Sequence, residues 1–252
     1  MNRIVALVGF FVVFARLAHA AEFQSSENAV SLVELFSSEG CSSCPPADEW
    51  MTTLRQDSGL WKNFVPVEFH VDYWNRLGWA DPYSKAAFTG RQGEYAAEWN
   101  QANVYTPAFV LNGREWRSGM LERRKAPQNH GAKVGVLSLR ANQDHAIEVA
   151  FTPAGSGADW TATAVLLGNG LTSRVMSGEN SNRTLRHEFV VLQLKSGKME
   201  KRGNRFVTTL NLQPGVSVTP GSYSVAAWVS KPGQLAPVQA VGGDLTAVKE
   251  QK

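Results

Sequence analysis

The stretch "SLVELFSSEGCSSCPPADEW", residues 31–50, contains both cysteines of the 252-residue chain, Cys41 and Cys44. Its first six residues form a short apolar run, which is typical of a buried strand. After the cysteines, apolar residues recur at helical spacing from Trp50 onward, and two prolines stand where a helix tolerates them, in its first turn. The stretch therefore predicts a strand, a cysteine pair and a helix in succession.

The next patterns along the chain extend this order. "VPVEFHVDYW" (65–74) alternates between apolar and polar residues and predicts a strand, and "SKAAFTGRQGEYAAEWN" (84–100) predicts a helix. "YTPAFVLNGREWRSG" (105–119) predicts two strands joined by Asn112-Gly113, a strong hairpin signal. Alternating strands and helices indicate an α/β domain, which we place at residues 26–125.

The chain changes character near residue 130. Downstream runs are all strand-like and are separated by Gly, Pro, Asn and Ser, namely "VGVLSLR", "HAIEVAF", "WTATAVLLG", "HEFVVLQL", "RFVTTLNL" and "SYSVAAWVS". Many short strands between turn signals favour an antiparallel sandwich. The predicted fold is thus an α/β N-terminal domain followed by a mainly antiparallel β region at residues 134–248.

The N-terminus, "MNRIVALVGFFVVFARLAHA" (1–20), has the layout of a secretory signal peptide. Arg3 is followed by an apolar run, and Ala18-His19-Ala20 matches an A-x-A cleavage pattern. The run is shorter than the roughly 20 residues that span a bilayer, so we expect membrane association only if the segment is not cleaved. The protein is predicted to be periplasmic or secreted, in an oxidising environment where disulfides persist.

Charge argues against a polyanionic partner. Cleavage after Ala20 removes Arg3 and Arg16, which leaves 23 Lys and Arg against 22 Asp and Glu. A nearly neutral chain gives no reason to expect nucleic-acid binding. The sequence leaves the oligomeric state open.

The spacing of Cys41 and Cys44 distinguishes two roles for a cysteine pair. As a structural staple, a four-residue loop stabilises by only about 2 kcal/mol, against ~3 kcal/mol for a fifteen-residue loop. A close pair before a helix is better suited to thiol-disulfide exchange, because the positive end of the helix dipole stabilises a thiolate. We expect Cys41, taken as nearer the helix start, to be the exposed nucleophile and Cys44 to resolve the mixed disulfide. The expected partners are exported proteins with thiols or disulfides.

Two motifs resemble the thioredoxin fold: "VELFSSEGCSSCP" around the cysteines and "YTPAFVLNGRE" around Thr106 and Pro107. The resemblance implies that a cis Thr106-Pro107 loop lies against the cysteine pair, with Pro107 in contact with Cys41. It also places Glu34 near the buried acid that handles the resolving cysteine's proton in thioredoxins.

A narrower resemblance covers residues 30–119 densely and the C-terminal half sparsely. "LVELFSSEGCSSCPPAD", "FHVDYWNRLGWADPYS", "YTPAFVLNGR" and "GENSNRTL" resemble a secreted bacterial family known as domain of unknown function 1223. The resemblance implies a thioredoxin-like domain with a β-rich partner and leaves the activity open. Ser42-Ser43 stands where thioredoxins have Gly-Pro, and Gly40 replaces an aromatic residue, so the direction of electron flow is also open.

The aromatic stretch "FHVDYWNRLGW" (69–79) admits two interpretations. His70 and Asp72 lie on the polar side of the alternating strand, and Trp74 and Trp79 follow closely. Together with Thr106 they would line a groove for a partner peptide near the cysteines. Alternatively, the aromatic residues fill a core around a hydrogen-bonded histidine.

Two alternatives to an oxidoreductase stay open. Cys41, Cys44 and His70 would make a Cys₂His copper site, since thiolates and imidazole suit Cu(I). Exported copper-delivery proteins of thioredoxin fold usually separate their cysteines by three residues, which argues against this site. The other alternative is a non-catalytic binding module. The preferred interpretation is a thiol-disulfide oxidoreductase that uses Cys41, Cys44, Pro107 and Glu34 and needs no metal or other cofactor.

Overall fold

The computed structural model describes residues 21–117, 126–128, 131–142, 146–155, 159–212 and 218–245. The predicted signal peptide (1–20) lies outside this part of the chain. No helix in the described ranges is long and apolar enough to cross a membrane.

The described residues form mainly strands, with two α-helices. The strands are β1 (Ala21–Gln24), β2 (Ser31–Ser37), β3 (Phe64–His70), β4 (Ala108–Leu111), β5 (Arg114–Glu115), β6 (Gly135–Ala141), β7 (Ala146–Pro153), β8 (Thr161–Asn169), β9 (Leu171–Arg174), β10 (Thr184–His187), β11 (Val190–Lys198), β12 (Glu200–Arg202), β13 (Arg205–Asn211), β14 (Ser222–Ser230) and β15 (Pro237–Leu245). The helices are α1 (Pro45–Thr53) and α2 (Ala86–Glu98), with short 3₁₀ turns at Leu54–Gln56 and Asn75–Leu77.

The strands form three sheets. The largest has eight strands in the order β15-β14-β8-β11-β3-β2-β4-β5, the second has five in the order β1-β6-β7-β13-β12, and β9 pairs with β10. Most pairings are antiparallel, and a shared apolar core packs the five-stranded sheet against β8, β14 and β15. The prediction of a mainly antiparallel, sandwich-like β region is confirmed at this level.

A separate thioredoxin-like α/β domain at residues 26–125 is not evident in this architecture. β11 continues the large sheet beyond β3, with Val190 paired in parallel to Glu68. β1, from the N-terminal end, pairs with β6 of the five-stranded sheet. Because the edge of β3 is completed by a C-terminal strand, the two halves of the chain share one sheet. The prediction missed this link, since pairing between distant strands leaves no local pattern.

The large sheet has two differently covered faces. Successive side chains of a strand point to opposite faces. In β2, Leu32 and Phe36 pack in the core that contains residues of α2, whereas Val33 and Leu35 pack in the core that contains residues of α1. The two helices therefore lie on opposite faces of β2.

The Asn112-Gly113 hairpin is confirmed. Leu111 pairs with Arg114 across the turn, and both turn residues have positive φ, 52° for Asn112 and 80° for Gly113. A side chain on Gly113 would meet the backbone of Ala236 at 2.5 Å, so both conformation and space require glycine here.

Candidate functional site

Cys41 and Cys44 form a disulfide in the loop between β2 and α1, with their Cα atoms 5.4 Å apart. The helix α1 begins at Pro45. Its first two residues are prolines, which a helix tolerates in its first turn and which disfavour helix further inside. Cys44 is therefore the N-cap residue, and Cys41 lies three residues before it. This corrects the prediction that Cys41 is the cysteine nearer the helix start.

Neither cysteine is exposed. The exposed fraction of both residues is 0%, whereas Cys41 was expected to be accessible. A loop from the C-terminal half of the chain, between β9 and β10, packs on the backbone around Cys41. The Asn180 side chain donates hydrogen bonds to the carbonyls of Glu39 and Cys41, both at 2.8 Å, and Glu179 accepts one from the Ser42 amide at 3.0 Å. Residues 175–183 thus form a covering loop over the disulfide.

The Thr106-Pro107 segment lies beside the disulfide loop. The Thr106-Pro107 peptide bond is cis, as predicted. Ser43 Oγ is 3.5 Å from the Thr106 carbonyl oxygen, and Trp74 Nε1 donates to Thr106 Oγ1 at 2.8 Å. Trp74 also packs against Gly40, where an added Cβ would lie 2.8 Å from Trp74 Cβ. Trp74 therefore joins the cysteine loop to the proline segment.

The other residues predicted to bind substrate have internal partners. Trp79 Nε1 donates to Glu39 Oε2 at 2.8 Å, and both tryptophans are half-buried. Asp72 accepts a hydrogen bond from Thr89 Oγ1 at 2.6 Å and so holds the start of α2. Of the predicted groove residues, Trp74, Trp79 and Thr106 lie next to the cysteine loop, Trp79 through its hydrogen bond to Glu39.

Glu34 does not fit the role predicted for it. It is fully buried on the α2 face of β2, where it accepts hydrogen bonds from Arg91 Nε at 2.7 Å and from Tyr95 Oη. The cysteines precede α1, which lies on the opposite face. The alternation of the strand turns Glu34 away from α1, and Arg91 compensates its charge.

His70 is also fully buried, and carboxylates contact both of its ring nitrogens. Nδ1 lies 2.7 Å from Asp81 Oδ2 and Nε2 lies 2.9 Å from Glu68 Oε1. The group of potential metal ligands found around His70 in the described chain contains Glu68 and His187 and neither cysteine. The copper site of Cys41, Cys44 and His70 stays a prediction that this geometry does not favour.

A second imidazole completes a buried ionic cluster below the cysteine loop. His187 Nε2 lies 3.1 Å from Glu39 Oε1, and its Nδ1 lies 3.5 Å from Glu68 Oε1 and 3.7 Å from Asp48 Oδ2. The two imidazole rings are 4.8 Å apart at their centroids, in an edge-to-face arrangement. We call Glu39, Asp48, Glu68, His70, Asp81 and His187 the buried cluster. Every member is at most 4% exposed.

Burial and mutual interaction shift the protonation of this cluster. Burial raises the pKa of Asp48 to about 8, with repulsion from Glu68 adding to it. Burial opposes the charged form of His187, but its hydrogen bond to Glu39 and its attraction to the nearby Glu68 carboxylate outweigh it and raise the pKa to about 9. The carboxylates Glu68 and Asp81 raise the pKa of His70 against the effect of burial. The cluster thus favours two imidazolium ions and one protonated carboxyl group.

Of the six members of the buried cluster, His70 was predicted from the sequence and the other five were not. The signal was present for Glu68, which shares the polar side of β3 with His70. Of the two interpretations of this stretch, a groove or a core around a hydrogen-bonded histidine, the setting of His70 fits the second. The rest come from separate places: the cysteine loop, α1, the segment after the second 3₁₀ turn, and β10. His187 and Glu39 are 148 residues apart, and no spacing pattern connects them.

The fold and site define a mainly β protein with a closely spaced disulfide at a helix start and an ionic cluster buried beneath it. The chain belongs to the family described as "Protein of unknown function (DUF1223)", whose sequence profile matches residues 32–230. No curated protein matches the chain.

Two solved structures are similar to this fold. Protein AGR_C_4864 from Agrobacterium tumefaciens is 24% identical, with a TM-score of 0.60 over 90% of this chain and 99% of that one. HBP35 of Porphyromonas gingivalis is 14% identical, with a TM-score of 0.59 over 90% of this chain and 80% of that one. At these identities the similarity concerns the fold alone.

Proposed function

We propose that this protein is an exported thiol-disulfide oxidoreductase that acts through Cys41 and Cys44. The proposal rests on the Cys41–Cys44 disulfide, which stands directly before α1 with only two residues between its cysteines. A loop this short contributes little as a staple, so its position at a helix start supports an exchange role.

Local donors support Cys41 as the reactive sulfur. Pro45 and Pro46 lack N–H groups, and the Ala47 amide already donates to the Cys44 carbonyl at 2.8 Å. The start of the helix therefore offers few free amides to a thiolate. Ser43 Oγ lies 3.3 Å from Cys41 Sγ and can donate a hydrogen bond to it. The Ser43 hydroxyl and the helix dipole together would stabilise a Cys41 thiolate.

The exchange proceeds in two balanced steps. A thiolate of an exported protein attacks Cys41 Sγ, the Cys41–Cys44 bond breaks as the mixed disulfide forms, and Cys44 leaves as a thiolate that takes up a proton. A second thiolate of the exported protein then attacks the exported protein's sulfur in the mixed disulfide. A new disulfide forms within the exported protein, and Cys41 leaves as a thiolate. The substrate protein loses two electrons and the cysteine pair gains them. The reverse sequence reduces a substrate disulfide.

The surroundings support a thioredoxin-like arrangement of this part of the chain. β3 runs parallel to β2, β4 runs antiparallel to β2 on its other side, and the cysteines precede the helix that follows β2. The segment before β4 contacts the cysteine loop through Ser43 and Thr106. The signal-like residues 1–20 support export to an oxidising compartment.

Trapping of mixed disulfides tests this function. Cys44→Ser removes the resolving thiol, so exported proteins should accumulate on Cys41 as bands of higher mass that disappear on reduction. The matched variant Cys41→Ser should trap few or none. Equal trapping by both variants, or none by either in cells that export thiol proteins, would contradict the proposal.

The reduction potential then sets the direction. Equilibration with glutathione should give a value between that of thioredoxin, about −270 mV, and that of a strong oxidant, about −120 mV. A value below about −300 mV is typical of a structural disulfide and would contradict an exchange role.

A further inference from the structure

The two imidazoles of the buried cluster are held in the same way. His70 directs Nδ1 to Asp81 at 2.7 Å, and His187 directs Nε2 to Glu39 at 3.1 Å. Each ring therefore has one nitrogen on an outer carboxylate and the other directed inward, toward Glu68. A carboxylate that orients a histidine in this manner is the usual second shell of a metal-binding imidazole.

The inner atoms are incompletely satisfied. Asp48 Oδ2, Glu68 Oε2 and His187 Nδ1 are buried and lack a hydrogen-bond partner of normal geometry within the protein. A buried ionisable group without a partner costs several kcal/mol, by order of magnitude. Three such atoms on neighbouring side chains indicate that the cluster is built around something besides the protein atoms that surround it.

The separations fit a small metal ion. One ligand atom from each of Glu68, His70 and His187 lies within 4.8 Å of the other two. A tetrahedral ion with bonds of about 2.0–2.1 Å holds its ligand atoms roughly 3.4 Å apart. His187 Nδ1 is already 3.5 Å from Glu68 Oε1 and 3.7 Å from Asp48 Oδ2.

We propose that Glu68, His70 and His187 bind a divalent transition-metal ion, and that the Asp48 carboxylate, whose Oδ2 lies 3.7 Å from His187 Nδ1, moves toward the ion as the fourth ligand. Imidazole and carboxylate donors suit Zn²⁺ and similar ions, and four protein ligands without an open position are typical of a structural site. Asp81 and Glu39 are positioning residues that orient the two imidazoles. The ion would tie together the cysteine loop, α1, β3 and β10.

Protons are the alternative occupant of these inward positions. A metal ion binds deprotonated ligands, so its entry displaces the inward protons of the two imidazoles and any proton on the carboxyl groups that bind it. Metal content therefore distinguishes a metal-filled cluster from a proton-filled one.

Metal content of the oxidised full-length protein is the first measurement. After incubation with Zn²⁺ and desalting, wild type should retain about one equivalent, as expected of a closed structural site. Cys41→Ser/Cys44→Ser should retain the same amount, because thiols are not ligands. His187→Gln keeps a polar atom near the Nε2 position for Glu39 and lacks the Nδ1 ligand, so it should retain almost none.

Graded variants make the test specific. Glu68→Gln should lose binding as His187→Gln does, whereas Asp81→Asn should weaken Zn²⁺ affinity by about 10–100-fold, the usual effect of a second-shell change. The double variant Arg91→Met/Glu34→Leu removes a carboxylate that is equally buried on the opposite face together with its counter-charge, and it should bind Zn²⁺ normally. Loss of zinc from the double cysteine variant, or full retention by His187→Gln, would overturn the proposal.

Wild type alone decides the outcome if the cluster variants do not fold. Co²⁺-loaded oxidised protein should show d–d absorption of a four-coordinate ion, without thiolate-to-cobalt charge transfer. Its melting temperature should fall when a chelator removes the ion, because binding to the native state alone stabilises it. Absence of both Co²⁺ absorption and Zn²⁺ retention would show a proton-filled cluster and overturn the proposal.

Discussion

Two buried ionic groups lie on opposite faces of the same pair of strands, and they differ in how completely they are satisfied. On the α2 face, Glu34 of β2 accepts hydrogen bonds from Arg91 and Tyr95, and the Arg91 guanidinium also lies over the rings of Phe69 and Trp228. On the α1 face, the buried cluster leaves atoms of Asp48, Glu68 and His187 without good partners. The hydrogen-bonded network of Glu34 needs no role beyond stabilising the fold. The unpaired atoms of the buried cluster, in contrast, indicate a further component that binds them.

The same contrast is visible in protonation. Glu34 raises the pKa of Arg91 further above its ordinary value despite burial, so the Arg91 guanidinium stays charged. In the buried cluster the pKa of Asp48 is raised to about 8, chiefly by burial, while the two nearby histidines lower the pKa of Glu68 against the effect of its burial. Asp48 and Glu68 are neighbouring carboxyl groups whose pKa values shift in opposite directions. The positive charges around them are too few to keep both groups ionised.

The largest expected effect comes from removing the counter-charge of Glu34 on the α2 face. Arg91→Ala leaves Glu34 buried without a counter-charge and should destabilise the protein by about 3–5 kcal/mol. Urea denaturation measures the loss. The double variant Arg91→Met/Glu34→Leu removes both charges and should recover most of it. A cost below about 1 kcal/mol for Arg91→Ala would show that the pair on this face is not what holds α2.

A smaller effect compares glycines on the two faces. Gly40, in the cysteine loop, lies so close to Trp74 that an added Cβ would be 2.8 Å from Trp74 Cβ. A Cβ added to Gly90, in α2, would meet no atom within 4 Å. Gly40→Ala should therefore displace Trp74 and cost about 1–3 kcal/mol. Gly90→Ala should instead stabilise by about 0.5–1 kcal/mol, because alanine favours the helix.

Thermal melting and tryptophan fluorescence distinguish the two glycine variants. Gly40→Ala should change the emission as Trp74 loses its contact with Thr106, and Gly90→Ala should leave it unchanged. If Gly40→Ala is as stable as wild type with the same emission, the close packing of Trp74 on the cysteine loop is wrong.

Local periodicity predicted most of the secondary-structure elements, but not the sheet that joins the two halves of the chain. Both helices, the strands β2 and β3, the Asn112-Gly113 hairpin and most of the later strands lie where the patterns placed them. β15 was missed because its centre is Gly242-Gly243, which is typical of a turn. These glycines serve packing: an added Cβ would lie 2.6 Å from the Trp61 ring at Gly242 and 2.0 Å from the Phe23 ring at Gly243.

The candidate site was predictable only where its residues are neighbours in sequence. The cysteine pair and the Thr106-Pro107 segment have recognisable local motifs. Cys41 was expected to be exposed, and it is covered by Asn180, which is 139 residues away. His187 reaches the buried cluster because β10 packs beside α1, a contact between distant parts of the chain. Single-sequence patterns carry no information about such long-range packing.

The smallest expected effect concerns the covering loop on the α1 face. Asn180 holds the covering loop by two hydrogen bonds to backbone carbonyls of the cysteine loop, and Asn180→Ala removes both. Each net hydrogen bond contributes about 0.5–1.5 kcal/mol, so opening of the loop should become roughly tenfold more frequent.

The rate of disulfide reduction by a phosphine should rise by about the same factor. The reduction potential should change little, because the covering loop controls access rather than the sulfur chemistry. Ser181→Ala, in the same loop, removes two hydrogen bonds within that loop, one to the Met176 carbonyl and one from Asn182 Nδ2, and none to the cysteine loop, so it should leave the rate unchanged. An Asn180→Ala protein that is reduced at the wild-type rate would show that the covering loop does not limit access to Cys41.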